Sequence, residues 1–337
     1  LILAPFVPSN TARGGGIIYP IVTSVIQSLG ISPHRNAATG QFLLYAAAQA
    51  NLVSSSLFIT GMAGNPLLGT YAQDVFGIEW GFGRWLLGNA VPGAVLMVVV
   101  PLWLYYWLRP ELDTCLVKQA IALQCERLEG FSGAEIRLCI ILTGALALWA
   151  TAAWTGLSSA VVAFLALTAL VVTNVLTWPE VLKHTTAWDT LFWLGSLIVL
   201  TQQLGAFGVT PWIGQALAHG LQDLSPQMAL WALALVYAVT MYLFSSITSH
   251  VLALGSPLLL AGRGLGCAVM PTVALFSYLS ALVGCLTNYS TGTVVIYFSQ
   301  GYISRPRWMA LGLCTFALYI VVYGTVGVVW WTVLGWY

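Results

Sequence analysis

Long apolar segments alternate with short polar ones along most of the chain. A helix needs about 20 mainly apolar residues to cross the hydrocarbon core of a bilayer. Runs of this kind lie near residues 14–30, 40–62, 83–108, 137–155, 157–178, 189–208, 227–247, 269–286 and 308–336. A membrane β-barrel would show alternating segments of about ten residues instead. The pattern predicts an all-α integral membrane protein with eight to ten passes, broken helices included.

Composition excludes several other classes of protein. Of the 337 residues, 59% are hydrophobic and only 6% charged, against about 25% charged in an average soluble domain. A net charge of +1 without a basic stripe gives no reason to expect a nucleic-acid partner. The six cysteines form no CxxC pair, so neither a zinc site nor a disulfide framework is indicated. We expect a lipid bilayer around the chain, no cofactor and no metal site.

Charge density divides the chain into parts. Residues 109–137 carry nine charged side chains and have the pattern of an amphipathic surface helix followed by a loop. The predicted organisation is therefore the remainder of a first repeat at 1–108, a linker at 109–136 and a second repeat at 137–337.

Four polar clusters interrupt the apolar segments. Irregular backbone at membrane depth is tolerated only where it is buried in protein or lines a cavity, so these clusters are the candidate site. The first and second contain Ser9, Asn10, Thr11, Gly61, Met62, Ala63, Gly64 and Asn65. The third and fourth contain Thr248, Ser249, His250, Thr287, Asn288, Ser290 and Thr291.

The spacing of the clusters indicates an internal repeat. The first and third clusters lie 239 residues apart and the second and fourth about 226 apart. Paired breaks of this kind are typical of secondary transporters that bind substrate near the bilayer midplane. We expect an inverted-repeat transporter with two re-entrant hairpins and two discontinuous helices. If the two halves match in length, about a hundred residues of the first half precede Leu1, and the chain is a fragment lacking its N-terminus.

These motifs resemble the divalent anion:sodium symporter family, and within it the plastid 2-oxoglutarate/malate translocator branch. The sequence Ser9-Asn10-Thr11 is similar to the family's Ser-Asn-Thr signature at the first hairpin tip. The segments 287–292, 188–193 and 201–205 resemble the plastid branch. Thr248-Ser249-His250 departs from the family pattern, because it stands where a second Ser-Asn-Thr is expected.

The resemblance implies exchange of dicarboxylate anions by a homodimer in the plastid (chloroplast) inner envelope. It implies substrate contacts from Ser9, Asn10, Thr11, Met62, Ala63, Thr248, Ser249, His250, Thr287 and Asn288. Positions implied for helix breaks or for a cation are Gly61, Gly64, Asn65, Ser290 and Thr291. Because His250 replaces an amide oxygen with a group that can carry positive charge near neutral pH, sodium-independent exchange is favoured over symport.

Alternatives stay open at this point. A sodium-coupled symporter of dicarboxylate or sulfate would share these motifs. A membrane-embedded enzyme would need paired carboxylates or a nucleophile triad in its spans, and the spans offer almost no carboxylate; a non-transporting subunit is the remaining alternative. Ser9 and Asn10 could be a plain helix cap, His250 a buried structural histidine, and Gly61 and Gly64 sites of close helix packing.

Overall fold

The computed structural model describes residues 1–34, 36–111 and 130–337, and these ranges are helical without a β-strand. The all-α prediction is confirmed. The helices of the first half are α1 (Tyr19–Ser28), α2 (Ala37–Leu57), α3 (Asn65–Phe76) and α4 (Phe82–Leu108). Those of the second half are α5 (Gly133–Ala150), α6 (Ala152–Thr155), α7 (Ser159–Val172), α8 (Trp178–Lys183), α9 (Thr185–Ala206), α10 (Val209–Gly220), α11 (Pro226–Thr240), α12 (Ile247–Gly264), α13 (Val269–Leu282), α14 (Gly292–Phe298), α15 (Arg305–Val322) and α16 (Val328–Val333).

Short helical turns of other types adjoin several of these helices. A π-helical stretch over Ala12–Ile18 leads into α1, and another over Tyr323–Gly327 joins α15 to α16. 3-10 turns follow α2, α11 and α13 at Ile59–Gly61, Met241–Leu243 and Val283–Leu286.

Five helical segments of the described residues are long and apolar enough to cross a membrane. They are Phe82–Leu108, Gly133–Ala150, Pro226–Leu243, Val269–Leu286 and Arg305–Val333. The other predicted passes fall on helices that are shorter, such as α7, or more polar, such as α2 with its buried glutamine, asparagine and serine side chains. The multi-pass character is confirmed, whereas length and hydropathy alone account for only five of the eight to ten predicted passes.

The centre of the fold is α13, which packs against α2, α3, α4, α11 and α12. Every residue of α13 from Pro271 to Leu282 is buried, as expected of a helix that is apolar on all sides. In contrast, α5 and α7 pack on one another and leave large side chains such as Ile140 and Phe164 exposed. The exposed apolar surface of α5 and α7 therefore faces the lipid or another protein.

Two helices of the centre are interrupted. The first break (residues 58–64) separates α2 from α3, and the second break (residues 287–291) separates α13 from α14. At the first break, Asn65 donates from Nδ2 to the carbonyl oxygens of Ser55 at 2.8 Å and Phe58 at 2.9 Å. These bonds satisfy backbone groups that the end of α2 leaves without a helical partner.

Of the predicted linker, residues 109–111 and 130–136 are among the described residues. Residues 112–129 lie outside the described residues, so the predicted surface helix there stays a prediction. The second half enters α5 through a capping box, in which Ser132 N donates to Glu135 Oε2 at 2.7 Å and Glu135 N to Ser132 Oγ at 3.2 Å. The division into two inverted repeats also stays a prediction.

Candidate functional site

The first tip (residues 9–11) starts the helical segment that becomes α1. Ser9 caps it, because its Oγ accepts from Ala12 N at 3.1 Å and its carbonyl oxygen accepts from Arg13 N at 3.0 Å. Ser and Asn favour such positions because their short polar side chains reach the free backbone amides of the first turn. The helix therefore begins at the tip, with its positive end there.

Asn10 fastens the first tip to both halves of the chain. Its Nδ2 donates to Ser55 Oγ at 2.9 Å, and its Oδ1 accepts from Asn51 Nδ2 at 3.1 Å and from Thr293 Oγ1 at 2.9 Å. Its backbone oxygen lies 2.9 Å from the same Thr293 hydroxyl. Asn51 and Ser55 belong to α2, whereas Thr293 belongs to α14. In this conformation the side-chain amide of Asn10 therefore serves to position the tip.

Arg13 is buried beside the tip and is 2% exposed. Its Nε donates to Asn51 Oδ1 at 2.9 Å, and Nη1 donates to the backbone oxygens of Val7 at 2.8 Å and Gly61 at 3.0 Å. Nη2 donates to the backbone oxygen of Asn51 and to Ser55 Oγ. All five N–H groups thus have neutral acceptors, and within the described ranges no carboxylate pairs with the guanidinium. A fixed positive charge is therefore held next to the first break.

The second tip (residues 245–248) starts α12. Ser246 caps this helix, with its Oγ 3.3 Å from Ser249 N and its carbonyl oxygen 3.0 Å from His250 N. Ile247 N donates to the carbonyl oxygen of Ser290 at 3.0 Å. The second tip is thereby joined to the second break, as the first tip is joined to α14.

A cavity of about 140 Å³ lies between the tips and the breaks. Four short segments line it, and they comprise Ser9, Asn10, Thr11, Met62, Ala63, Ser245, Ser246, Ile247, Thr248, Ser290, Thr291 and Gly292. Each segment immediately precedes or begins a helix, namely the π-helical start of α1, then α3, α12 and α14. The lining contains hydroxyls, amides and a few apolar atoms, and no carboxylate.

This arrangement suits a small anion. A helix N-terminus is equivalent to about half a positive charge and presents free backbone N–H groups. Three of the helices that begin at the cavity are ten residues or longer, and their fields add at one place. The cavity is smaller than the roughly 300–1,000 Å³ typical of sites for drug-sized ligands. A small anion is the ligand class that this size and field favour.

Most of the predicted site residues come together at this cavity. Ser9, Asn10, Thr11, Met62, Ala63 and Thr248 line it, as do Ser290 and Thr291, which were predicted as break or cation positions. Ser245, Ser246, Ile247 and Gly292 line it as well. These four stand inside the polar clusters of the sequence, but only the fold shows which members of a cluster turn inward.

Other predicted residues lie away from the cavity. Ser249 and His250 follow the second tip in the first turn of α12. Thr287, which is fully buried, and Asn288 begin the second break and do not line the cavity. His250 is fully buried, and its ring stacks on Tyr237 at a centroid distance of 4.1 Å. In this conformation the His250 imidazole therefore does not reach the cavity.

Three of the predicted break positions, Gly61, Gly64 and Asn65, do not line the cavity. A Cβ added at Gly61 would lie 2.7 Å from the backbone oxygen of Ser55, and one at Gly64 would lie 3.0 Å from the Met62 side chain. Asn65 is fully buried and accepts at Oδ1 from Ser280 Oγ at 3.2 Å. These residues allow the chain to pass close to α2 and α13. Within the described residues no cluster of three or more His, Cys, Asp or Glu could hold a metal ion.

These features define a class, that of all-helical, multi-pass membrane proteins with a polar, carboxylate-free cavity at paired helix breaks. The chain belongs to the family described as the sodium:sulfate symporter transmembrane region, which it matches over residues 1–337. This confirms the resemblance inferred from the sequence.

The relatives found by comparison are named as transporters. The chain is 34% identical over 349 residues to dicarboxylate transporter 2, chloroplastic, of Spinacia oleracea, covering 100% of this chain and 61% of that protein. It is 31% identical over 339 residues to dicarboxylate transporter 1, chloroplastic, of the same plant, covering 99% and 60%. It is 29% identical over 337 residues to the L-tartrate/succinate antiporter of Escherichia coli (strain K12), covering 98% and 68%. The chain thus spans about three fifths of the length of the chloroplast relatives.

Proposed function

We propose that this chain carries the substrate-binding core of a secondary transporter that exchanges dicarboxylates of the 2-oxoglutarate/malate type by alternating access. The observation that supports it most is the cavity of about 140 Å³ at the tips and breaks. Helix N-termini and hydroxyls can bind both carboxylates of such a ligand without a cationic side chain. Met62, Ala63 and Ile247 add apolar contacts suited to the carbons between the carboxylates.

Arg13 supports exchange without sodium. A sodium ion would take oxygen ligands of the kind found at the first break, such as backbone carbonyls. The guanidinium of Arg13 already occupies the carbonyl oxygens of Val7, Asn51 and Gly61. Its charge stays when the substrate leaves, so it supplies attraction for an anion without a coupled cation.

The proposed movement places the two tips and two breaks in one body that moves against the other spans. The bond between Asn10 and Thr293 joins the two halves, and the bond from Ile247 N to the Ser290 carbonyl oxygen joins the second tip to the second break within the second half. The exposed apolar faces of α5 and α7 suit the membrane and the partner of a homodimer. A plastid inner-envelope location is proposed from the two chloroplast relatives, and the bacterial antiporter shows that the family also occurs elsewhere.

A sodium-coupled symporter of dicarboxylate or sulfate is the second candidate, because the description of the matching family names sodium:sulfate symport. The two candidates differ in what drives uptake. A symporter accumulates substrate along a sodium gradient without internal anion, whereas an exchanger needs an internal counter-substrate.

The test uses the complete protein reconstituted in liposomes. Uptake of labelled malate is measured with and without internal 2-oxoglutarate, each with and without an inward sodium gradient. Uptake that needs internal 2-oxoglutarate and ignores sodium is the expected result. Uptake that follows sodium and ignores the internal anion would establish the second candidate. If folded protein transports no dicarboxylate under any of the four conditions, the proposal is wrong.

A further inference from the structure

The second tip is held between two helices, and one side chain connects them behind the cavity. His250 lies in the first turn of α12, four residues after Ser246, and Thr240 ends α11. The Nε2 atom of His250 lies 2.9 Å from Thr240 Oγ1. The nine residues between them include the whole second tip, so this hydrogen bond closes the loop that carries it.

The roles of the two atoms follow from the bonds of Thr240. Its Oγ1 lies 3.0 Å from the carbonyl oxygen of Val236 and 2.9 Å from that of Tyr237. A threonine hydroxyl has one proton, and in a helix this proton commonly goes to a carbonyl of the preceding turn. The Thr240 oxygen therefore accepts, and His250 donates from Nε2. This assigns the neutral imidazole to the tautomer with its proton on Nε2.

Two aromatic rings hold the imidazole in place. His250 stacks on Tyr237 with ring centroids 4.1 Å apart and planes 17° from parallel. The ring of Phe244, next to the second tip, has its centroid 4.9 Å from that of His250, with the two planes tilted by 56°. Buried on all sides, the ring has few alternative rotamers, so its Nε2–H points in a fixed direction. The Nδ1 atom has no hydrogen-bond partner among the described residues.

We propose that His250 is a positioning residue that locks the second tip through its Nε2–H···Oγ1 bond to Thr240, and that it acts on the dicarboxylate only through this tip. The ligand enters the inference from the proposed function, whereas the locking of the tip does not depend on it. Loss of the bond frees α11 to move relative to α12. Ser245, Ser246 and Thr248 then no longer present their hydroxyls and amides to the cavity in one arrangement.

Substitutions that differ in side-chain length test the hydrogen bond between His250 and Thr240. His250→Gln places an amide N–H near the position of Nε2, whereas His250→Asn carries the same amide too short to reach Thr240. Thr240→Val removes the acceptor from the other side with almost no change of shape. Thr272→Val is the matched control, because Thr272 is buried, bonds back to the Ala268 carbonyl oxygen at 2.7 Å and lines no part of the cavity.

The first readout is amide hydrogen exchange of the peptide covering residues 244–249 in the complete protein in nanodiscs without substrate. We expect about tenfold faster exchange in His250→Asn and Thr240→Val, and rates near those of the wild type in His250→Gln and Thr272→Val. The double variant Thr240→Val with His250→Asn should exchange no faster than the faster single variant. Unchanged exchange in Thr240→Val would overturn the proposal, whatever the protein transports.

The second readout is the kinetics of malate exchange. A KM about five- to tenfold higher with a nearly unchanged maximal rate is expected for His250→Asn and Thr240→Val, with rescue by His250→Gln. If His250→Gln is as impaired as His250→Asn while tip exchange stays normal, the imidazole itself is needed and the locking role is wrong. Absence of dicarboxylate transport by the wild type would contradict the proposed function and leave the exchange test of the tip decisive.

Discussion

Thr293 offers the sharpest test of how the two halves build one cavity. Its hydroxyl belongs to α14, yet it lies 2.9 Å from both the Oδ1 and the backbone oxygen of Asn10 at the first tip. Thr293→Val removes this hydroxyl and keeps the branched shape of a side chain that is 1% exposed. The variant therefore changes a hydrogen bond without opening a cavity.

The size of the effect follows from the geometry. One hydroxyl proton makes one donation, and such a bond contributes about 1 kcal/mol net. The oxygens of Asn10 keep Asn51 Nδ2 at 3.1 Å, so the larger cost of leaving them unsatisfied, about 1–3 kcal/mol, does not fully apply. A loss of about 1 to 1.4 kcal/mol in holding the tip corresponds to about five- to tenfold in affinity.

The assay is malate exchange in proteoliposomes loaded with 2-oxoglutarate. For Thr293→Val we expect a KM raised about five- to tenfold and a maximal rate within about twofold of the wild type. Thr272→Val, a buried threonine on α13 that does not line the cavity, should leave KM unchanged. A wild-type KM for Thr293→Val, or an equal rise in both variants, would refute the idea that α14 positions the first tip.

Three further predictions follow from the same geometry. Arg13→Lys keeps the positive charge and three N–H donors, so the rate of sodium-free malate exchange should fall by less than about tenfold. For Arg13→Gln the rate should fall about a hundredfold, since hydrogen bonds to charged groups are worth about 1.5–3 kcal/mol each. An equal fall in rate for both variants would contradict a role for the charge. Gly292→Ala should raise KM several-fold, because its Cβ would lie 2.8 Å from Cγ2 of Thr11, while Gly16→Ala, with open space around its Cβ, should not; similar KM values would speak against the close approach. Gly312→Ala should lower the melting temperature, because its Cβ would clash with the backbone oxygen of Cys285 and overpacking costs about 1–3 kcal/mol. Gly144→Ala in α5, with open space around its Cβ, is the control, and equal melting temperatures for the two variants would refute the clash.

The residues of the first tip show how far the sequence could lead. Ser9-Asn10-Thr11 is recognisable as a cap between apolar segments, and its distance from the third cluster pointed to a repeat. Which of its atoms face the cavity depends on Asn51, Ser55 and Thr293, which stand up to 283 residues away. Pairings at such separations leave no local pattern in the sequence.

For His250 the sequence indicated the position along the chain but not the direction of the side chain. The sequence places it beside a predicted tip, where an ionisable residue in a membrane is by default a candidate for function. His250 lies one helical turn further along α12 than the cap Ser246, and there its ring stacks on Tyr237 and bonds to Thr240 of α11. The direction of a side chain at a helix start is decided by its neighbours in space.

By itself the sequence determined the class of the protein. Continuous apolar runs specify membrane helices because the bilayer leaves no other solution for the backbone, and polar clusters within them mark breaks for the same reason. The motifs at those breaks also sufficed for the family, which the match over residues 1–337 confirms. Only the tertiary structure decided that four segments meet around a single cavity and that Arg13 is buried among five neutral acceptors. Those contacts arise from packing between distant helices, whose directions local periodicity does not contain.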